Sequence, residues 1–506
     1  MCSIAGSYWF NDKGNDEGLL NDQVQRAFTM LHKRGPDEFS FVNVRNNCVM
    51  GGNRLIIRGS KNDGSLPFKH NKNILYYNGE IYNYQKWNPG ASSDGEVILP
   101  LYEELGWKAF LELDGEFALS IWDDKKEQLI LARDLFGTKP IYFSINNERI
   151  LWASSASAIN EMEKHSFCTS TKGPTYKHSY AVQEPYTSYN GIWLIPPGHF
   201  LVVNKNGVQL RCYNLWQEHR SISTDLTEVF LSLEQSLVSR MDYKGVIGIP
   251  MSAGIDSGII AFMADKLGVK YHIFSIIEIM GEKTDESENI LKRIDRLRNV
   301  SDVTLLKCNE DEYELALEEM FLPQYYDSEK FDNGNILMHT VFNAMNKAGI
   351  RVAIDGSGGD ELFHGYNFRE DFKPLNEWPN LWKQNNYYYS LFTTLLDYTS
   401  KSDRAGAYFS IESRYPYQNF KLMKAASKLK STNVLKWPLR EFLLQQVNYG
   451  PSLDIDRNGK FGFSIKNRNK EQMIHDMKEA WCRANNLTEM PNLKPKKFPF
   501  KIGMII

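Results

Sequence analysis

Two places in this chain carry residue types suited to chemistry. The first is Cys2: with Met1 removed it would hold a thiol and a free α-amine side by side. That pairs a nucleophile with a nitrogen base of pKa near 8. The second is residues 245–258, Gly-Val-Ile-Gly-Ile-Pro-Met-Ser-Ala-Gly-Ile-Asp-Ser-Gly. The apolar residues predict a short strand, the small and polar ones a tight turn, and Ile259, Ile260, Phe262 and Met263 the start of a helix. Such a turn gathers backbone N–H groups at a helix N-terminus, where phosphate or pyrophosphate binds. Met251, Ser252, Gly254, Asp256 and Ser257 are thus candidate ATP or pyrophosphate residues, and Asp256 suits Mg²⁺ held on the phosphates. The Gly-Lys-Ser/Thr ending of a Walker loop is missing.

A second glycine-rich turn, Asp355-Gly356-Ser357-Gly358-Gly359-Asp360-Glu361, follows a predicted strand over 352–355. Strands over 271–277 and 303–306 alternate with helical stripes over 286–297, 312–321 and 336–347. That alternation predicts an α/β parallel sheet with helices on both faces. Both turns then open on one edge of the sheet, so Asp360 joins Asp256 as a metal ligand. Gly356 and Ile276 complete the candidate ATP site.

The whole chain sets the bounds. At 506 residues it has room for two or three domains. With 59 basic against 62 acidic residues, nothing points to nucleic acid or an anionic membrane. No apolar run reaches the length of a membrane span, and the first residues lack a signal-peptide pattern. Six widely spaced cysteines, without zinc or CxxC spacing, suit reduced thiols in a cytoplasm.

The first third of the chain adds a series of short motifs. Met-Cys-Ser-Ile (1–4), Arg-Gly-Pro-Asp (34–37), Asn-Arg-Leu (53–55), Tyr-Asn-Gly-Glu-Ile-Tyr-Asn (77–83), Ser-Asp-Gly-Glu (93–96), Asp-Gly-Glu-Phe-Ala (114–118) and Arg-Asp-x-x-Gly-x-Lys-Pro-Ile-Tyr (133–142) follow in order. The series resembles the N-terminal-nucleophile glutaminase domain of glutamine-hydrolysing asparagine synthetases. The 252–257 turn resembles the Ser-Gly-Gly-x-Asp-Ser loop of ATP pyrophosphatases. Glu412-Ser413-Arg414-Tyr415-Pro416, Lys436-Trp437-Pro438-Leu439-Arg440 and Lys460-Phe461-Gly462-Phe463 continue the likeness to about residue 470.

The resemblance implies an α+β N-terminal-nucleophile sandwich at 1–205 (a class II glutaminase), a linker at 206–222 and an α/β ATP-pyrophosphatase domain at 223–506. By position, Cys2 attacks the glutamine amide, while the Asn78 side chain and the Gly79 N–H form the oxyanion hole. Arg54 grips the α-carboxylate, Asp94 the α-ammonium, and Glu80 completes the glutamine site. Lys460 meets the pyrophosphate. The expected substrates are glutamine, ATP (with Mg²⁺) and a carboxylate, in a cytoplasmic enzyme for which a homodimer is compatible.

The departures fall in the second half. Ser3, Ala253 and Gly258 are small changes, but Ser357 stands where the family commonly has Glu. Asn419 for Asp and Lys466 for Pro are further shifts in the acceptor half. The default acceptor is aspartate, giving asparagine with AMP and pyrophosphate. The alternatives are the same chemistry on a sugar acid, peptide or nucleotide, or an intramolecular cyclase of the β-lactam synthetase type. The intact glutamine set argues against the cyclase.

Overall fold

Residues 3–9, 48–54 and 115–123 are buried along nearly their whole length, as strands covered on both faces must be. In the computed structural model they lie inside two six-stranded sheets whose pairings are all antiparallel. The structure describes residues 2–11, 17–59, 63–168, 180–181, 184–213, 223–284, 286–325, 330–331, 333–363, 365, 395–429, 436–446, 470–491 and 496–500. Lys460 and Lys466 lie outside these residues.

The first sheet runs Trp193–Leu194, Tyr142–Ile145, Arg149–Ala153, Ser3–Trp9, Cys48–Arg54, Glu38–Arg45. The second runs Gly207–Cys212, His199–Asn204, Gln128–Arg133, Gly115–Asp123, Asn73–Ile81, Phe68–His70. Ile4, Tyr8 and Trp152 of one meet Tyr76, Trp122 and Leu131 of the other in a shared core. Helices Glu17–Leu31 and Ala156–Met162 cover the outer face of the first sheet, and helix Ile98–Leu105 that of the second. The result is a helix–sheet–sheet–helix sandwich. Pro100 costs its helix nothing, because as the third residue it falls among N–H groups with no intrahelical partner.

Residues 207–212, expected to open a linker, form a strand instead. Gly207 follows Asn206 at a hairpin turn, and the strand pairs with His199–Asn204 from Gly207↔Asn204 to Cys212↔His199. The polar composition that suggested a linker belongs to an edge strand with a half-solvated face.

The third sheet has parallel strands in the order Asp302–Cys308, Tyr271–Ile279, Ile247–Pro250, Val352–Ile354, Glu412–Arg414, plus the short antiparallel Glu282–Lys283. In chain order the parallel strands read 3-2-1-4-5. The direction of winding reverses between Ile247–Pro250 and Val352–Ile354, and a crevice opens there at the carboxyl ends. Both glycine-rich turns follow these two strands.

The two halves meet through apolar and polar contacts. One cluster joins Leu75, Phe110 and Phe200 to Ile249, Ile260 and Phe442. The buried Asp134 carboxylate accepts the N–H groups of Phe117, Phe136, Thr138 and Lys139, and so holds the 134–139 turn in one shape. That turn delivers Thr138 to Gln418 (2.7 Å) and the Lys139 ammonium to the Ser413 carbonyl (2.9 Å).

Asn419, a departure in the second half of the chain, belongs to this seam. Its Nδ2 donates to both oxygens of Asp114 (3.1 Å each), and its Oδ1 caps helix Phe420–Ala426 through Leu422 N–H (3.0 Å). Aspartate at 419 would keep the cap but set a second carboxylate against Asp114. We expect Asn419→Asp to cost about 1–2 kcal/mol, a fall of a few degrees in melting temperature. A thermal melt unchanged from the parent would contradict this reading.

Candidate active sites

The first cleft forms where the two sheets of the sandwich end together. Strand Ser3–Trp9 begins at its floor, so Cys2 sits at the mouth of the shared core. The Cys2 backbone N donates to Asn78 Oδ1 (3.0 Å), which fixes the orientation of that amide. Asn78 Nδ2 is thereby turned the other way, and it is buried without a hydrogen-bond partner among the described residues. A buried donor left unpaired costs about 1–3 kcal/mol, so this N–H₂ group is poised to donate to an oxygen brought into the cleft. Gly79 is next in the strand, with φ +155°, and a Cβ there would fall 2.0 Å from the Glu116 carbonyl. Only glycine lets the chain pass that close, so the Asn-Gly pair is dictated at both positions.

The cleft is lined by Cys2, Arg54, Leu55, Ile57, Arg58, Tyr77, Gly79, Glu80, Asp94 and Glu412, among others. Arg54 contacts Glu38 (3.2 Å) and the Asp63 carbonyl. The Asp94 carboxylate accepts from Tyr77 Oη (2.5 Å) and Ile81 N–H (2.8 Å). Ser93, not Asp94, caps the turn that follows, in a reciprocal pair with Glu96. The Asp94 carboxylate is therefore left to the cleft. Three acids (Glu80, Asp94, Glu412) and three guanidiniums (Arg54, Arg58, Arg414) gather here, a balance that suits a zwitterionic ligand.

Burial governs the proton affinities. It pushes the Cys2 thiol up, against the pull of the positive N-terminus and the Leu55 carbonyl contact, and Glu412 pushes the same way. The sulfur thus keeps its proton until a base takes it. Burial, then Asp94, also raises Glu80, opposed by Arg414 and Arg58. Glu412 is held below the usual carboxylate range despite burial, chiefly by Arg414.

Three of these groups were missed by sequence reasoning. Arg58 pairs with Glu80 and with Asp242 (2.8 Å). Arg414 reaches Glu80 (3.4 Å) and Glu412 (2.8 Å) from the edge strand of the third sheet. The Glu-Ser-Arg-Tyr-Pro motif was visible, but nothing in its spacing says that it closes a cleft in the other half.

The second site lies at the crevice of the parallel sheet. Ser252 N–H and Oγ meet Ser257 Oγ (3.1 and 3.2 Å), and Gly254 N–H returns to Ser252 Oγ (3.1 Å). The 13-residue helix Ile255–Leu267 starts from this turn, so its first N–H groups face the crevice. The second turn packs directly on it: a Cβ at Gly356 would lie 3.2 Å from Ser257 N, and one at Gly359 only 2.2 Å from Asp256 Oδ1. Met251 and Ile276 are fully buried, so their side chains support the turn from behind.

Asp256 and Asp360 converge on one point, marked by the Lys436 ammonium at 2.5 and 3.0 Å. Burial favours a neutral amine, but the two carboxylates hold its pKa above that of an ordinary lysine. Lys436, noted in the sequence only as part of a motif, is the cation that the structure places here. No cluster of three or more metal-ligating side chains occurs among the described residues. A carboxylate pair sharing a divalent ion with substrate phosphates is the arrangement that Mg²⁺ favours, so the donor set fits.

Ser357 does not face the crevice with an acid or a free hydroxyl. Its N–H and Oγ both bond Asp355 Oδ1 (2.7 and 2.6 Å), and Asp355 Oδ2 accepts from Ser402 (2.6 Å).

Residues 1–214 match a family model described as glutamine amidotransferase domain, and residues 228–390 one described as asparagine synthase. In the order of these two matched stretches the chain is similar to glutamine-hydrolysing asparagine synthetases. Its relatives include "Amidase chry2" of Gibberella zeae (24% identical over 402 residues, 72% of this chain and 59% of the relative). "Amidase chyE" of Penicillium rubens is 27% identical over 426 residues, 75% of this chain and 62% of the relative. A Zea mays asparagine synthetase [glutamine-hydrolyzing] is 25% identical over 508 residues, 93% and 78%. The chain thus spans about three-fifths of the two amidases. No described helix is long and apolar enough to cross a membrane.

Proposed function

We propose that this chain is an ATP-dependent carbon–nitrogen ligase that takes its nitrogen from glutamine. The observation that carries the reading is the shared wall of the first site: Glu412 and Arg414, from the ATP-binding half, complete the cleft around Cys2. A glutaminase acting alone would not need its cleft finished by a nucleotide-binding sheet.

In this reading the Cys2 α-amine takes the thiol proton as sulfur attacks the glutamine amide. The oxyanion falls to Asn78 Nδ2 and Gly79 N–H, at about 3–4 kcal/mol per donor. The α-ammonium returns that proton to the amide nitrogen as the C–N bond breaks, so ammonia leaves, and water then releases glutamate from the thioester and restores the thiol. In the second half a carboxylate attacks the α-phosphorus of ATP and pyrophosphate departs toward the 252–257 turn, Lys436 and, by resemblance, Lys460. Asp256 and Asp360 are the residues that would hold a Mg²⁺, which would supply neutralising charge for that pyrophosphate. Ammonia then attacks the acyl-adenylate and AMP leaves. Because water would protonate ammonia, the nitrogen travels inside the protein, along the seam that strand Glu412–Arg414 borders.

Aspartate is the first acceptor to test. A second reading, a different carboxylate, is favoured by Ser357, whose hydroxyl is turned onto Asp355 and offers the acceptor no acid. Two relatives bear the name amidase, which is compatible with that reading. The test is pyrophosphate release across a panel of carboxylates (aspartate, sugar acids, peptides, nucleotides) with glutamine and Mg²⁺–ATP. One acceptor should release pyrophosphate and glutamate together. Glutamate release with no pyrophosphate from any acceptor would overturn the ligase reading.

A further inference from the structure

The turn that reads as the polyphosphate site is braced from behind by two charged side chains with no part in the chemistry above. Arg293, buried on helix Ser287–Ile294, donates Nη1 to the carbonyls of Ser252 (3.2 Å) and Gly254 (2.6 Å). Glu286, just ahead of that helix, accepts the Ala253 N–H (3.0 Å). The Ser252–Ala253 peptide is therefore engaged on both sides. The Gly254–Ile255 peptide is engaged only at its carbonyl by this brace. In a planar trans peptide the N–H points opposite to the C=O, so the Ile255 N–H is aimed away from Arg293, out of the helix start.

Gly258 provides the space. A Cβ at 258 would lie 2.9 Å from Arg293 Nη1 and 3.2 Å from its Cζ. A side chain at 258 would require the guanidinium to shift from this slot, so the two positions are coupled. The unpredicted glycine at the end of the Ser-Ala-Gly-Ile-Asp-Ser-Gly turn thereby has a physical reason.

We propose that Arg293 is a positioning residue for the polyphosphate of ATP. It draws the turn's carbonyls backward and so leaves N–H groups facing the anion. It also sets a buried positive charge behind a helix N-terminus, adding to the field of the helix dipole. This rests on the reading of 252–257 as the polyphosphate turn.

The test measures binding of inorganic pyrophosphate with MgCl₂ to the full chain by calorimetry, which needs no acceptor. Arg293→Ala should weaken binding about tenfold or more, and Arg293→Lys, keeping the charge, should restore part of the loss. Gly258→Ser should weaken binding in the parent by displacing the guanidinium, yet add nothing in an Arg293→Ala background. Should Arg293→Ala not fold, the Gly258→Ser single variant carries the test, with parent-like affinity counting against the proposal. Affinity within twofold of the parent in Arg293→Ala, or losses that simply add in the double variant, would overturn it. A parent that binds no pyrophosphate would overturn the underlying phosphate-site reading, and this inference with it.

Discussion

Replacing Cys2 by alanine should abolish glutamine hydrolysis while leaving ammonia-driven synthesis intact. In the proposed reading the sulfur is the nucleophile, and hydrogen bonds and ion pairs hold its polar neighbours: Asn78 Oδ1 on the Cys2 N, Asp94 on Tyr77 and Ile81, Glu80 between Arg58 and Arg414. Alanine keeps the backbone N in place, so the orientation of the Asn78 amide survives and the cleft still binds glutamine. Only bond-making is lost, and glutamate release should fall by more than about 1000-fold with little change in glutamine affinity. With ammonium chloride at alkaline pH the second half receives its nitrogen directly. Pyrophosphate release with the acceptor found in the panel should then stay within about twofold of the parent. Loss of both activities would mean that the two halves do not work as separable sites. Retention of glutaminase would mean that the sulfur is not the nucleophile.

Much of this was legible before the structure, and the reasons differ by region. Asn78-Gly79 and the 252–257 turn are short-range devices: one passes a neighbouring strand too closely for a side chain, the other starts a helix. Backbone geometry of that kind is written in a few adjacent residues. The parallel sheet was legible from alternating strands and helices, and its order put both glycine-rich turns at the reversal point. Contacts between distant parts were not legible. Arg414 meets Glu80 and Lys436 meets Asp256 across long separations in the chain, and no periodicity announces either pair. Asn419 is a further case: a departure in the acceptor half by sequence, it bonds Asp114 across the seam, a partner its neighbours do not announce. Ser357 stays at the crevice, but what its hydroxyl does is set by Asp355, two residues earlier.

Asp256→Asn should have the opposite profile to Cys2→Ala: no pyrophosphate release with any acceptor, and an unimpaired basal glutaminase. The Asp256 carboxylate does two things that an amide cannot. It shares the Lys436 ammonium with Asp360, and with Asp360 it offers the anionic oxygens that a divalent ion requires. An asparagine presents one neutral oxygen and an N–H₂ group that would face both the lysine and the ion. The ammonium would then lean on Asp360 alone, and that carboxylate would be withdrawn from the metal as well. One substitution thus weakens both the placing of the Lys436 ammonium and the carboxylate pair that would hold a divalent ion, and the expected loss is on the order of 1000-fold or more. The fold should survive, because Tyr417 Oη bonds the Asp256 backbone carbonyl (3.0 Å) and the helix start does not depend on the carboxylate. Raising MgCl₂ in the assay discriminates further. If the carboxylate serves the ion, excess Mg²⁺ should recover part of the activity. If it serves only to hold Lys436, added metal will change nothing, and the metal assignment at Asp256 falls while the phosphate turn stands.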